Sequence, residues 1–179
     1  MKRILVFSLF FIMMVNPIST KAEVFGGKWT SSPSYYISTS NAYYVNLNIS
    51  MNRWNVQLSA ISANISIYYT SQLNATVSVI TYAYESTGWN AMGTPGPVLT
   101  SGTYTYGSIK LNTTYMNNYT ASKNSAICTH EWGHILGIAH TMSNNIDSLM
   151  YYGGSSVYYD QWGIYAPTYY DVTQLNLIY

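Results

Sequence analysis

A chain of 179 residues, 48% hydrophobic and only 7% charged, has the composition of one packed domain and excludes a disordered polyelectrolyte. Beyond residue 22, four basic residues (Lys28, Arg53, Lys110, Lys123) face six acidic ones (Glu23, Glu85, Glu131, Asp147, Asp160, Asp171), a net charge of −2 that leaves no basic patch for nucleic acid or acidic lipid. The single cysteine, Cys128, excludes an internal disulfide and reads as a small buried residue.

At the N-terminus, Lys2 and Arg3 precede an almost unbroken apolar run over residues 4–15, which Asn16 and Pro17 then break. Thr20, Lys21 and Ala22 offer a small residue before a cut at Glu23. This pattern predicts a secretory signal peptide over residues 1–22 and a mature domain over 23–179, released outside the cell. A membrane anchor is the rival reading, but twelve residues at ~1.5 Å rise reach roughly 18 Å, short of a bilayer core. After cleavage no membrane contact and a monomeric chain are expected.

Residues 23–33 are rich in Gly, Ser and Thr and predict an arm leading into a first strand over 34–37. Residues 44–61 predict a helix, with Val45, Ile49, Trp54, Leu58 and Ile61 recurring at three- to five-residue intervals and Trp54 as a core anchor. Residues 65–70 and 75–84 predict strands, the second with Val77, Val79 and Thr81 on one face. A Gly- and Pro-rich loop is expected over 85–97, then one or two strands over 98–112. A second helix is expected from about 122 to 137, loop through 167, and a final short helix capped by Asp171 that sends Val172, Leu175 and Ile178 to the core. Strands interleaved with helices in this order predict an α+β domain, a sheet with helices packed on it.

All three histidines fall in eleven residues, His130-Glu131-Trp132-Gly133-His134-Ile135-Leu136-Gly137-Ile138-Ala139-His140. On a helix, positions i and i+4 share a face, so His130 and His134 can present two imidazoles to one ion. Glu131 lies about 100° round the helix, close enough to hold a water without ligating the metal. Gly137 suits a left-handed turn that ends the helix and returns the chain, bringing His140 as third ligand. Three neutral imidazoles leave one zinc ion an open position for water, whose pKa falls towards ~7, with Glu131 as general base and later acid. Packing alone gives no reason for every histidine to sit within one such motif.

The segment from His130 to His140 resembles the extended zinc motif of the metzincin peptidases, and Ser148-Leu149-Met150-Tyr151 resembles their Met-turn. The short spacing from His140 to Met150 is most similar to the matrixin branch. This resemblance implies a zincin fold with a twisted, mostly parallel five-stranded sheet, an active-site helix and a C-terminal helix. It also implies a protein or peptide substrate bound extended along an edge strand, which we place at residues 102–107. Met150 would pack beneath the metal. Matrixins usually carry Pro two residues after that Met, where this chain has Tyr152. In other branches a tyrosine there reaches the zinc, so Tyr152 is a candidate fifth ligand or oxyanion donor, or simply one of 20 tyrosines. The histidines for a second, structural zinc are absent, and calcium stays open because the sparse acids form no loop pattern. Two other readings compete with an endopeptidase: an idle zinc-bound binding module, disfavoured by the intact Glu131, and a hydrolase of non-peptide amides.

Overall fold

A computed structural model of the protein describes residues 24–71, 74–97, 102–142, 147–152 and 156–179. The expected signal peptide, residues 1–22, lies outside them, as do residues 98–101 of the expected strand region. In chain order the elements are β1 (Gly27–Trp29), β2 (Ser34–Tyr36), α1 (Tyr44–Ala60), β3 (Tyr68–Tyr69), β4 (Val77–Tyr82) and β5 (Ala91–Gly96). There follow β6 (Gly102–Tyr104), β7 (Tyr106–Asn112), α2 (Thr113–Met116), α3 (Ala121–Ile135), α4 (Val157–Asp160) and α5 (Tyr169–Ile178).

Five strands form one sheet in the order β3-β2-β4-β7-β5, parallel except for β5, which runs antiparallel to β7 at the edge. The α+β architecture with a mostly parallel sheet and two long helices is the one expected. Val77 is fully buried with Ile109 and Leu111, while Ile80 and Tyr82 project from the opposite, exposed face, so the strand alternation was read correctly. A two-stranded parallel pair, β1 with β6, stands apart from the main sheet.

The edge strand is a correction. It is β5, in the segment expected to be loop, whereas residues 102–104 pair with β1 instead. Met92-Gly93-Thr94-Pro95-Gly96 looks like a loop because Gly and Pro weaken strands, yet an edge tolerates both. The register explains how. Asn112 N–H donates to Asn90 O, so even-numbered β5 residues bond to β7, and Ala91, Gly93 and Pro95 turn their main-chain groups away from the sheet. Pro95 therefore forfeits no ladder bond.

Helix α1 packs across α3 on part of the stripe expected, with Trp54 as the core anchor and Ile61 half-buried. Leu47, Trp54 and Leu58 are buried, while Val45 and Ile49 are exposed. Polar side chains take the inward places: Asn46 Nδ2 donates to Ala121 O and Ser125 Oγ, and Ser50 Oγ donates to Ser125 O. Trp54 Nε1 donates to Thr129 O at 2.7 Å, directly before the first histidine. Buried polar groups with partners fix how the two helices register, which apolar periodicity alone does not reveal.

The N-cap of the last helix is Thr168, with Asp171, the expected cap, three residues on. Thr168 Oγ1 accepts from Asp171 N–H, and the Asp171 carboxylate accepts from Thr168 N–H at 2.7 Å, a reciprocal cap. Leu175 is fully buried as expected, while Val172 and Ile178 are half-buried. Cys128 is fully buried and free, and burial pushes its thiol up. Among the described residues no helix is long and apolar enough to cross a membrane.

Candidate metal centre

Helix α3 is capped by Thr120, whose hydroxyl accepts from Lys123 N–H, and every residue from Asn124 to Ile135 is buried. It ends where glycine allows it to. Gly137 has φ 103°, with Gly137 N–H donating to His134 O and Ile138 N–H donating to Gly133 O. That pair of bonds closes the helix and turns the chain back. His140 consequently returns to face His130 and His134, as the spacing predicted.

The three imidazoles converge. Nε2 of His140 lies 3.1 Å from Nε2 of His130 and 3.1 Å from Nε2 of His134, and the three potential ligand atoms all fall within 4.8 Å of one another. Nitrogens around a tetrahedral zinc at 2.0–2.1 Å are spaced roughly 3.3 Å apart, so the donor set fits that ion. The far side of each helical ring is fixed: His130 Nδ1 donates to Leu149 O at 2.7 Å and His134 Nδ1 to Ile138 O at 2.8 Å. Because these carbonyls accept from Nδ1–H, they hold each ring in the tautomer whose Nε2 lone pair aims at the shared point. Burial, then the neighbouring imidazole of His140, pushes His134 down to about 3, and burial lowers His130 and His140 as well. Neutral rings are the form a metal binds.

An aromatic ring rests on each of these histidines. Tyr158 stacks on His130 with centroids 4.9 Å apart and planes 8° from parallel. Phe25 lies 5.6 Å from His134, and Tyr152 lies 4.9 Å from His140. Of the three, only Tyr152 was singled out from sequence. Phe25 sits in the supposed lead-in arm and Tyr158 in the supposed loop, where nothing local marks a contact with histidine.

Glu131 is buried beside the triad, and its Oε2 accepts from Gly93 N–H at 2.5 Å. Burial raises its carboxyl to about 8, against the lowering effect of that hydrogen bond. A cation among the imidazoles is the opposite charge that favours the carboxylate. Gly93 is needed for proximity, because a Cβ there would run into the Glu131 carbonyl. A glycine inside a strand is a sequence sign of such close approach, and it was the signal available for this contact.

Met150 is fully buried beneath the helix, where a Cβ on Gly133 would meet its sulfur. The turn that carries it hangs from Asp171, which accepts from Ser148 Oγ at 2.6 Å, Leu149 N–H at 2.9 Å and Met150 N–H at 3.4 Å. Above the triad opens a cleft of about 460 Å³, bounded by Trp89, Ala91 to Gly93, Tyr152 and Tyr158.

The comparison with protein families decides among zinc-motif proteins. Residues 15–148, most of the chain and all three histidines, match the family described as dual-action HEIGH metallo-peptidases. The chain belongs to this family. No curated protein matches it. The HEIGH name spells His-Glu-Ile-Gly-His, and this family member has Trp132 in the third place. Trp132 points away from the cleft, fully buried, with its ring edge-on to Tyr35 of β2 at 5.3 Å. In this HEIGH metallo-peptidase the letter that departs from the motif's name therefore belongs to the helix–sheet core, while the histidines face the cleft.

Proposed function

We propose that the protein is an exported zinc endopeptidase in which His130, His134 and His140 hold one catalytic Zn²⁺ and Glu131 is the general base. The observation that carries this reading is the convergence of three Nε2 atoms beside a buried carboxylate, under an open sheet edge. When bound, zinc lowers the pKa of water towards ~7 and polarises a carbonyl. The chain supplies the rest. An extended peptide lies along β5, donating N–H groups to the outward carbonyls of Ala91, Gly93 and Pro95. Gly93 N–H fixes the Glu131 carboxylate, so that it takes a proton from the attacking water and returns it to the leaving amine. Tyr152, on the cleft wall against His140, offers its phenol to the carbonyl oxygen of the scissile bond.

The layout supports a minimal matrixin-like arrangement: a parallel sheet with one antiparallel edge, Met150 under the site and a C-terminal helix bearing Asp171. Residues 1–22 support export as a signal peptide, with residues 23–179 as the catalytic domain. The test is cleavage of a peptide mixture by the purified zinc-loaded protein, read by mass spectrometry. Cleavage that a chelator abolishes and zinc restores is expected; folded, zinc-loaded protein that cuts nothing would overturn the reading.

A further inference from the structure

The wall of the cleft beside His134 comes from the N-terminal arm. Val24 bridges to Ile138, Phe25 N–H donates to Gly137 O at 2.8 Å, and Trp29 Nε1 donates to Ile135 O at 2.7 Å. The carbonyl between them, Leu136 O, accepts from the hydroxyl of Tyr179, which follows α5. Helix ends leave such carbonyls without intrahelical partners; here Trp29 satisfies that of Ile135 and Tyr179 that of Leu136, while Phe25 engages Gly137 just beyond the helix. The arm is further pinned by β1–β6 pairing and by Gly27 N–H on Tyr104 Oη. It comes so close that a Cβ on Gly137 would stand 3.0 Å from Gly27 O.

Phe25 is thus held on fixed backbone. Its ring leans on His134, remains 38% exposed and lines the same cleft as Glu131. Apart from Glu131, which Gly93 already engages, the described lining residues carry no acidic or lysine or arginine side chain. Aromatic and aliphatic groups dominate it, including Trp89, Met92, Ile127 and Tyr158.

We propose that Phe25 is a specificity-determining residue, forming with the edge of His134 a subsite that takes an apolar side chain of the bound peptide. This inference rests on the peptidase reading. A flat apolar wall favours an aliphatic or aromatic side chain over a charged one, which would lose water without gaining a partner.

The experiment profiles a peptide library with the wild-type protein and with Phe25→Tyr, Phe25→Ala and Phe25→Lys, alongside zinc affinity by chelator competition. Wild type and Phe25→Tyr should prefer apolar residues at one substrate position by on the order of tenfold. Phe25→Ala should flatten the preference at that position alone. Phe25→Lys should gain Asp and Glu there by about fivefold, the size of one partly exposed ion pair. Zinc affinity should fall by less than the 10–100-fold typical of losing a group that orients a ligand. An unchanged profile in both the Ala and Lys variants would overturn the subsite. So would a uniform loss at every position with zinc affinity down 10–100-fold, which would make Phe25 a packing residue of His134. Zinc-loaded wild type that cleaves no peptide would overturn the peptidase reading, and the subsite with it.

Discussion

His130, Glu131 and His134 stand on one helix, whereas His140 and Met150 stand on irregular chain, and the two sides of the centre are fixed by different means. On the helical side, backbone geometry places the side chains, and α1 adds side-chain bonds at Ser125 and Thr129. On the turn side, one buried carboxylate, Asp171, gathers Ser148 Oγ and the N–H groups of Leu149 and Met150 from more than twenty residues away. The same turn then returns Leu149 O to His130 Nδ1. A motif visible in eleven residues therefore depends on an anchor that lies outside it.

Substitutions on each side can break this comparison. The largest expected effect is on the helical side: Glu131→Gln should lower kcat by about 10²–10⁴-fold with zinc still bound, measured by steady-state kinetics beside metal analysis. Retained turnover would remove Glu131 from the chemistry. On the turn side, Asp171→Ala should cost about 3–5 kcal/mol, since several buried donors lose their acceptor at ~1–3 kcal/mol each. Denaturant unfolding measures it, and zinc affinity should fall in parallel because His130 loses its fixed acceptor. A stable variant with normal zinc affinity would show that the turn holds itself. Between the two sides, Gly133→Ala should cost about 1–3 kcal/mol by overpacking against Met150, read as a lowered Tm. Smallest is Tyr152→Phe, which keeps the ring on His140 and removes the hydroxyl; kcat should fall about tenfold with KM unchanged, at the low end for a carbonyl-oxygen donor because the residue is 59% exposed. An unchanged kcat would leave Tyr152 as packing alone.

What the sequence disclosed follows the same division. The helix bearing His130 and His134, its end at Gly137 and the return of His140 were legible because they depend on local spacing and one glycine. β4 and β7 were legible because alternation survives burial on one face. The edge strand was not, because Gly93, Pro95 and Gly96 weaken strand propensity while the β7 ladder and the contact with Glu131 supply what propensity lacks. Neither was the role of Asp171, which reads as an ordinary cap until the turn at Ser148 is brought against it. Phe25 and Tyr158 reach the site through long-range folding, and no periodicity in a short arm or a four-residue helix announces that.

The outward edge of β5 has one more consequence. Gly93 N–H is engaged by Glu131 and Pro95 has none, so of the outward-facing groups three carbonyls remain but only the N–H of Ala91. Exposed strands invite their own kind, because a ladder needs donors and acceptors from both partners. Two copies of this edge would bring oxygen against oxygen at most rungs. A cleft that must stand open in solution is thereby hospitable to a guest strand rich in N–H groups and inhospitable to a twin.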